Sequence, residues 1–413
     1  MLRFVRRAFA VAAASALFAN AGAAQLPQEV LAITRANVVD GVSDTRLRNA
    51  TIVIRAGKIE SIRENGAVPA GARVLDAAGR WVAPGLIDAH THIRTVADAR
   101  RALLSGVTTV RSASVPNYQD VALRDIGKSG WMILPDVLAT GVFVSPDLGE
   151  TITADARLAP LAGGVRTPEQ LRLLVQVNAA RGVNWIKTRG TERAGLPDTD
   201  PRQQTYTEAQ LRVVVEEAAK ANIPVMAHAH GDEGAYAAVR AGVKSIEHGT
   251  YLSDSTLRLM KERNVWLVPT LSTIVDLTTP GGDYSDPVLE LRGQHMQPRI
   301  EDVIRRAHAM GVRIAAGADT DYHRESTTRI SHEVMRFVGL GLTPVQALAT
   351  ATSGAAELLG VGNATGQLRV GYEADLIVLE HDPLANPGTL RDPLLVITNG
   401  RVALDRLRMG LGN

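Results

Sequence analysis

Two regions of the chain, one towards each end, show the short alternating apolar pattern that is typical of half-buried β-strands. On the amino-terminal side, the pattern predicts strands at residues 31–39, 50–56, 58–63 and 72–76. Towards the carboxyl terminus, it predicts strands at residues 366–369, 374–380, 394–398 and 401–404. We therefore predict one discontinuous β-sandwich domain, built from residues 25–81 and 363–413.

Between these regions, over residues 82–362, strand-like segments alternate with segments that have the apolar period of a helix. Strands are predicted at residues 81–93, 106–111, 183–187, 224–227, 244–247, 265–269 and 312–316. Helices are predicted at residues 96–104, 168–181, 208–221, 233–241, 255–263, 298–310 and 327–340, with a capping box at Thr205 and Glu208 opening the third. This alternation predicts an α/β fold, a parallel (β/α)8 TIM barrel whose functional site lies at the carboxyl ends of its strands.

Polar residues of the metal-binding type stand at the predicted strand ends. His90 and His92 end the first barrel strand, and their spacing of two places both on one side of it. The later strand ends carry Lys187, His228, His230, His248 and Asp319. Because the ends of parallel strands meet at one edge, these residues predict a shared metal site.

The composition limits which partners and which metal ligands the chain can have. The chain of 413 residues has 45 basic and 43 acidic residues, so its charge balance gives no reason to expect nucleic acid as a partner. It contains no cysteine, which excludes disulfides and thiolate metal sites. Any metal must therefore be held by histidine, carboxylate or a modified side chain.

The first residues have the composition of an export signal. Arg3, Arg6 and Arg7 precede an apolar stretch at residues 8–19, and small residues follow at 21–24. We predict a signal peptide at residues 1–24 and an exported protein, periplasmic or secreted, that has no stable membrane insertion after cleavage. An uncleaved anchor is the alternative, and the choice between general and twin-arginine export stays open.

The residues at 82–92, which read VAPGLIDAHTH, together with Lys187, His228, His248 and Asp319 in order, resemble the amidohydrolase superfamily of metal-dependent hydrolases. The likeness covers nearly the whole mature chain, including GYEADLIVL at residues 371–379. The segments AHAHG at 227–231 and IEHGT at 246–250 are similar to the branch of Xaa-Pro dipeptidases and ochratoxin hydrolases, to which imidazolonepropionases are related.

This resemblance implies two divalent metal ions, with zinc the expected element. His90, His92 and Asp319 would hold the first ion, His228 and His248 the second, and a carbamylated Lys187 and a hydroxide would bridge them. The resemblance assigns Asp319 to proton transfer from the attacking water to the leaving amine. His230 would polarise the scissile carbonyl, although spacing alone does not decide whether His228 or His230 binds metal.

The loops after the strands are expected to select the substrate. Arg189 and Arg193 are candidates for binding a substrate carboxylate, because the planar guanidinium matches it, and solvated loop charges are the alternative. Tyr251, His323 and Arg324 are further candidates, and residues 270–297 are predicted as a loop that could serve as a lid. His295, His308, His332 and His381 lie outside the strand-end pattern and are predicted to be surface or helix-face residues.

Together these features predict a hydrolase that cleaves an amide or peptide bond in a small-molecule substrate such as a dipeptide, an Xaa-Pro dipeptide or an N-acyl amino acid. A cyclic amide or lactone hydrolase, similar to imidazolonepropionase, is the alternative within enzymes. An inactive barrel that acts as a binding protein is the alternative from another class. The sequence is compatible with a homo-oligomer and does not fix the subunit number.

Overall fold

The structure is a computed structural model that describes residues 29–284 and 286–407. The predicted signal peptide at residues 1–24 lies outside this range. Within the described part, no helix combines the length and apolar character needed to cross a membrane.

One eight-stranded sheet combines strands from both ends of the described chain. Its strands are β1 (Leu31–Val39), β2 (Arg46–Arg55), β3 (Lys58–Glu64), β4 (Arg73–Asp76), β5 (Trp81–Pro84), β13 (Leu376–Leu379), β14 (Leu395–Thr398) and β15 (Arg401–Asp405). They run in the order β15-β14-β13-β5-β1-β2-β3, and β4 pairs with β1. The antiparallel pair of β5 and β13 joins the two ends of the chain, with Leu376 opposite Pro84 and Leu379 opposite Trp81. The prediction of a strand at residues 366–369 is wrong, because that segment is bend and coil.

Seven further strands form two parallel sheets, so the fold is α/β. The first sheet contains β6 (Leu86–Thr91), β7 (Val107–Ser112) and β8 (Asp136–Leu138). The second contains β9 (Ile186–Arg189), β10 (Val225–Ala229), β11 (Ser245–His248) and β12 (Trp266–Val268). Parallel bridges connect Val144 with Thr188, Leu267 with Ile314, and Thr91 with Thr320. The segment at 312–316 thus runs between β12 and β6 without being a full strand.

Eleven α-helices connect the strands and cover them in the described part of the chain. They are α1 (Val96–Leu104), α2 (Gln119–Lys128), α3 (Pro168–Ala180), α4 (Glu208–Ala219), α5 (Asp232–Ala241), α6 (Asp254–Glu262), α7 (Leu271–Asp276), α8 (Pro287–Met310), α9 (Ile330–Gly339), α10 (Pro344–Thr350) and α11 (Ser353–Leu359). Short 3-10 helices occur at Pro116–Tyr118, Gly149–Ala154, Ala156–Leu161 and Pro387–Arg391. Capping boxes open α1, α3, α4 and α10. In α4 the box is Thr207 with Gln210, two residues later than the sequence predicts.

Two further predicted elements differ from the structure. The single strand at 81–93 is two strands, and the chain passes from one sheet to the other at Gly85. A Cβ at Gly85 would lie 2.3 Å from Thr108 Oγ1, so this crossing requires glycine. The loop predicted at 270–297 is mostly helix, because Asp286 caps α8 through the Val288 and Leu289 amides at 2.8 and 3.2 Å, and the helix continues through Pro298.

Candidate metal centre

Side chains from the strand ends meet in one cavity of about 520 Å³. The seven predicted residues that line it are His90, His92, Lys187, His228, His230, His248 and Asp319. His92 and Asp319 are half-buried and the other five are buried. The parallel strands bring them together because their carboxyl ends share one edge of the fold.

These residues form two groups that could each hold a metal ion. His90, His92 and Asp319 are one group, and His228, His230 and His248 are the other. In each group, one ligand atom from every residue lies within 4.8 Å of the others. The structure therefore brings together the predicted histidine and aspartate ligands, and it also includes His230 in the second group.

Asp319 lies between the histidines of the first group. Its Oδ1 is 3.3 Å from His90 Nε2 and 3.1 Å from His92 Nε2, and its Oδ2 is 4.0 Å from His248 Nδ1. The Asp319 amide donates to the His90 carbonyl at 2.8 Å, which fixes this segment beside β6. Burial raises the pKa of Asp319, but the histidines outweigh it and hold the pKa well below its usual range. Asp319 is therefore a carboxylate at neutral pH.

Each of the five histidines contacts a protein oxygen through one ring nitrogen. The contacts are His90 Nδ1 to Glu247 Oε2 at 2.6 Å, His92 Nδ1 to the Ser114 carbonyl at 2.7 Å, His228 Nε2 to the Glu192 carbonyl at 3.0 Å, His230 Nδ1 to Thr250 Oγ1 at 2.8 Å, and His248 Nδ1 to Thr270 Oγ1 at 2.7 Å. The other nitrogen of each ring is left to bind a metal or a substrate. Such outer contacts fix the ring orientation of metal-binding histidines.

Burial keeps several of these groups in the uncharged form that binds metal. It lowers the pKa of His230 to about 3 and the pKa of His228 and His248 well below the usual value. Burial also lowers the pKa of Lys187 to about 8. The Lys187 Nζ lies 3.4 Å from His90 Nε2, which places the amine directly beside the first group. The neutral amine is therefore more accessible near neutral pH than it is for an exposed lysine.

Sequence reasoning missed Glu247 and Arg111, which form a buried ion pair behind the histidines. Arg111 Nη2 donates to both Glu247 carboxylate oxygens at 2.9 and 3.0 Å, and both side chains are fully buried. Burial raises the pKa of Glu247, but Arg111 and His90 lower it to about 2 overall. Glu247 is thus an anion, and its contact with His90 Nδ1 holds the His90 ring in place. The available signal was a charged residue inside each of two apolar strands.

Asp88 is a third residue that the sequence analysis did not single out. It is fully buried and accepts from the His90 amide at 3.1 Å, the Ala318 amide at 3.0 Å and the Tyr322 hydroxyl at 2.8 Å. Burial raises its pKa to about 6. Asp88 therefore connects the His90 strand to the segment that carries Asp319.

Only some of the candidate substrate-binding residues line the cavity. Arg189, Arg193 and His323 line the cavity, whereas Tyr251 and Arg324 do not. Arg189 donates to Glu192 at 2.8 Å and to Ser145 at 2.6 Å, so its guanidinium already has partners. The Tyr251 ring instead lies 6.1 Å from the His295 ring. Tyr284, which the sequence analysis did not propose, also lines the cavity.

The predicted surface histidines are outside the cavity lining. His295 and His308 lie on α8, His332 lies on α9, and His381 follows β13. His295 and His381 are exposed.

The chain is similar to known proteins over most of its length. The sequence profile of the amidohydrolase family matches residues 81–403. Ochratoxinase from Aspergillus niger is 29% identical over 392 residues, which cover 85% of this chain and 81% of that protein. Its crystal structure is similar with a TM-score of 0.78 and 26% identity, covering 92% of this chain and 96% of that chain.

Two further relatives extend the comparison. The crystal structure of an Xaa-Pro dipeptidase with bound methionine has a TM-score of 0.81 at 26% identity, and the match covers 91% of this chain and 99% of that one. Imidazolonepropionase from a Polaromonas species is 27% identical over 412 residues, covering 87% of this chain and 90% of that protein.

Proposed function

The chain belongs to the amidohydrolase family, and we propose that it is a binuclear metal-dependent hydrolase that cleaves the amide bond of a small substrate, a dipeptide, Xaa-Pro dipeptide or N-acyl amino acid. The similarity to ochratoxinase and to the Xaa-Pro dipeptidase supports hydrolysis of a carbon–nitrogen bond. The observation that carries the proposal is the convergence of two three-residue ligand groups around one cavity, with Lys187 beside them.

The donor set fits divalent metal ions of the zinc type. It consists of neutral imidazoles with one nitrogen tied to the protein and one carboxylate, which are the ligands that zinc accepts. We propose that His90, His92 and Asp319 hold one ion, that His228 and His248 hold a second, and that Lys187 bridges them as a carbamate. The lowered pKa of Lys187 supports this step, because carbamates form from the neutral amine.

Two bound ions would supply an activated water at neutral pH and polarise the scissile carbonyl. Asp319 is an anion at neutral pH, so it can accept the proton of the attacking water and pass it to the leaving nitrogen. His230 has Nδ1 on Thr250 and is free to direct Nε2 to the carbonyl oxygen of the substrate. Arg193 is the stronger candidate for a substrate carboxylate, because Arg189 already contacts Glu192 and Ser145.

We further propose that the two parallel sheets and the segment at 312–316 close into the (β/α)8 barrel of the family. The bridges of Val144 with Thr188, Leu267 with Ile314 and Thr91 with Thr320 support a continuous ring. The barrel domain would span residues 82–362, and residues 25–81 and 363–413 would form the β-sandwich domain. The composition of residues 1–24 supports export to the periplasm or the medium.

The proposal is tested by metal analysis of the purified mature protein together with a panel of Xaa-Pro dipeptides, other dipeptides, N-acyl amino acids and lactones. We expect about two metal ions per chain and amide turnover that Asp319→Asn reduces by at least about a hundredfold. Asp321→Asn is the matched control, because Asp321 lines the same cavity without lying in either ligand group. In the same assay, Arg193→Ala should raise KM for carboxylate-bearing substrates, and an unchanged specificity constant would remove that role.

The remaining outcomes separate the alternatives. Preferred turnover of a cyclic amide or lactone would favour the imidazolonepropionase-like function. Absence of bound metal and of turnover, even after zinc and bicarbonate are supplied, would overturn the enzyme and favour a binding protein.

A further inference from the structure

A second cluster of carboxylates lies away from the metal centre, at the opposite end of the parallel strands. Asp136 is the first residue of β8, and Glu373 and Asp375 lie just before β13. One oxygen from each of these three carboxylates lies within 4.8 Å of the others. The cluster therefore sits where the three-stranded parallel sheet meets the eight-stranded sheet.

The acidic charge of this cluster has no direct counter-charge among the described residues. No described basic side chain lies within 4.0 Å of any of the three carboxylates. Lys128 and Lys58 act on Asp136 and Glu373 only through space. Two arginines that line the same cavity are engaged elsewhere, Arg124 with Asn184 at 3.1 Å and Arg401 with the Gly130 carbonyl at 3.2 Å.

Two buried hydroxyl groups beside the cluster point to a ligand from outside the chain. Thr109 and Thr398 line the same cavity of about 560 Å³ as Asp136 and Glu373. Thr109 and Thr398 are 1% and 2% exposed, and the Oγ1 of each has no hydrogen-bond partner among the described residues. Thr109 is the direct register partner of Asp136 in the parallel pair of β7 and β8, which places both side chains on one face. Buried hydroxyls usually have a partner, so these two oxygens are suited to bind a ligand.

The rest of the cluster is rigidly built. Asp375 accepts from the Asn399 amide at 2.7 Å and from Thr365 Oγ1 at 2.6 Å, and Asn399 Nδ2 donates to Asp136 Oδ2 at 3.1 Å. These contacts fix two of the three carboxylates in place. Burial, followed by repulsion from Asp136, raises the pKa of Asp375 to about 7. Three carboxylates at this spacing need either a cation or a shared proton.

We propose that Asp136, Glu373 and Asp375, with the hydroxyls of Thr109 and Thr398, form a site for a hard divalent cation of the calcium type that joins the two sheets. All five groups offer oxygen, which is the donor that calcium and magnesium prefer over nitrogen ligands. The histidine centre has a different donor set, so the two sites select different ions. The cation would stabilise the junction and would take no part in hydrolysis.

The test is calcium titration of the zinc-loaded protein by calorimetry, with CaCl₂ as the probe. We expect one calcium ion per chain and a rise in Tm with calcium, because the ion binds the folded state. Glu373→Gln replaces one charged ligand with a neutral amide, and it should weaken calcium binding at least tenfold. The Glu373 side chain makes no hydrogen bond among the described residues, so the substitution breaks no existing contact. Glu216→Gln, an exposed residue of α4, carries the same charge change and should leave binding unaltered.

Further variants distinguish this site from the histidine centre. Asp319→Asn should bind calcium as the native protein does, and loss of binding there would move the ion to the histidine centre and overturn the proposal. If Glu373→Gln does not fold, Thr398→Val is measured in its place and should also weaken binding. Absence of calcium and magnesium binding at millimolar concentration, or equal binding by native protein and Glu373→Gln, would also overturn the proposal and indicate that the carboxylates share a proton instead.

Discussion

The five histidines of the cavity differ in the nitrogen that they leave free. His228 contacts a backbone carbonyl through Nε2, whereas His230 and His248 contact threonine hydroxyls through Nδ1. His228 thus has Nδ1 available and the other two have Nε2. The His230 and His248 rings are stacked, with their centroids 4.6 Å apart, so the second group contains three available nitrogens close together. Two of them suffice for the proposed ion, which leaves the third for the substrate.

This geometry predicts opposite outcomes for two matched variants. His228→Asn should lower metal content to about one ion per chain, since it removes a proposed ligand. His230→Asn should keep two ions and lower kcat by about a hundredfold or more, the magnitude expected when a group that polarises the carbonyl is removed. Metal analysis by mass spectrometry and steady-state kinetics on both proteins are the measurements. Loss of an ion in His230→Asn alone would exchange the two assignments.

The buried ion pair of Arg111 and Glu247 holds the His90 ring in its orientation. Removing one partner of a buried pair leaves an uncompensated charge and costs about 3–5 kcal/mol in other proteins. Glu247 also accepts from Ser245 Oγ, so its carboxylate is saturated by three neighbours, Arg111, Ser245 and His90. The ring of His90 is therefore oriented by a network that cannot rotate independently.

At the scale of elements, glycines set how closely the site-bearing segments approach. Gly190 follows β9 and packs against Gly234 of α5, where a Cβ on Gly190 would lie 2.4 Å from the Gly234 carbonyl oxygen. The Gly190 amide donates to the His228 carbonyl at 2.7 Å. The contact between β9 and α5 therefore positions both the Lys187 strand and the His228 strand.

We expect Gly190→Ala to lower the free energy of unfolding by about 1–3 kcal/mol, because the added methyl group has no space and must displace backbone. Hydrolytic activity should fall with it, since His228 moves. Gly339→Ala is the control, because a Cβ there meets nothing within 4 Å and the residue ends a helix. This control should be neutral or stabilising by up to about 1 kcal/mol. Chemical denaturation of both variants measures the difference, and equal stabilities would contradict the packing argument.

At the scale of the whole molecule, the two ends of the parallel strands carry different polar clusters. The carboxyl ends carry the histidine centre, and the opposite end carries the acidic cluster of Asp136, Glu373 and Asp375. Between and around them, buried carboxyl groups make stability depend on pH. Glu333 of α9 is one of these, fully buried, with one oxygen bonded to the Ser272 amide and the other without a partner among the described residues.

Burial raises the pKa of Glu333 from about 4.5 to about 7. The folded state therefore keeps the proton more tightly than the unfolded state, and stability falls as pH rises from about 4.5 through 7. Glu333→Gln retains an oxygen for the Ser272 amide and has no carboxyl group to ionise, so it removes this loss of stability. Its free energy of unfolding should exceed that of the native protein by about 3 kcal/mol at pH 8 and equal it near pH 4.

Denaturant unfolding at several pH values, with zinc held constant, measures this effect. Glu262→Gln alters an exposed helix carboxyl and should show the native pH profile. A Glu333→Gln profile parallel to the native one would show that Glu333 is ionised without cost in the folded protein.

The sequence by itself determined the α/β class, the family and the seven polar side chains at the strand ends that meet in the cavity. It could do so because apolar strand runs are local patterns, and a polar residue directly after such a run lies at the strand end wherever the strand is placed. His90, His228 and Asp319 are of this kind. The start of α8 was predicted wrongly, because the sequence analysis began this helix at Pro298, whereas Asp286 caps a helix that begins at Pro287.

Only the tertiary structure decided which partners these side chains have. Glu247 and His90 are 157 residues apart, and Asn399 and Asp136 are 263 apart, so their contacts depend on the order of the strands in space. The same holds for Arg111 beneath the site and for the acidic cluster between the sheets. Local periodicity carries no information on such pairings, because a strand exposes the same pattern whichever neighbour it receives.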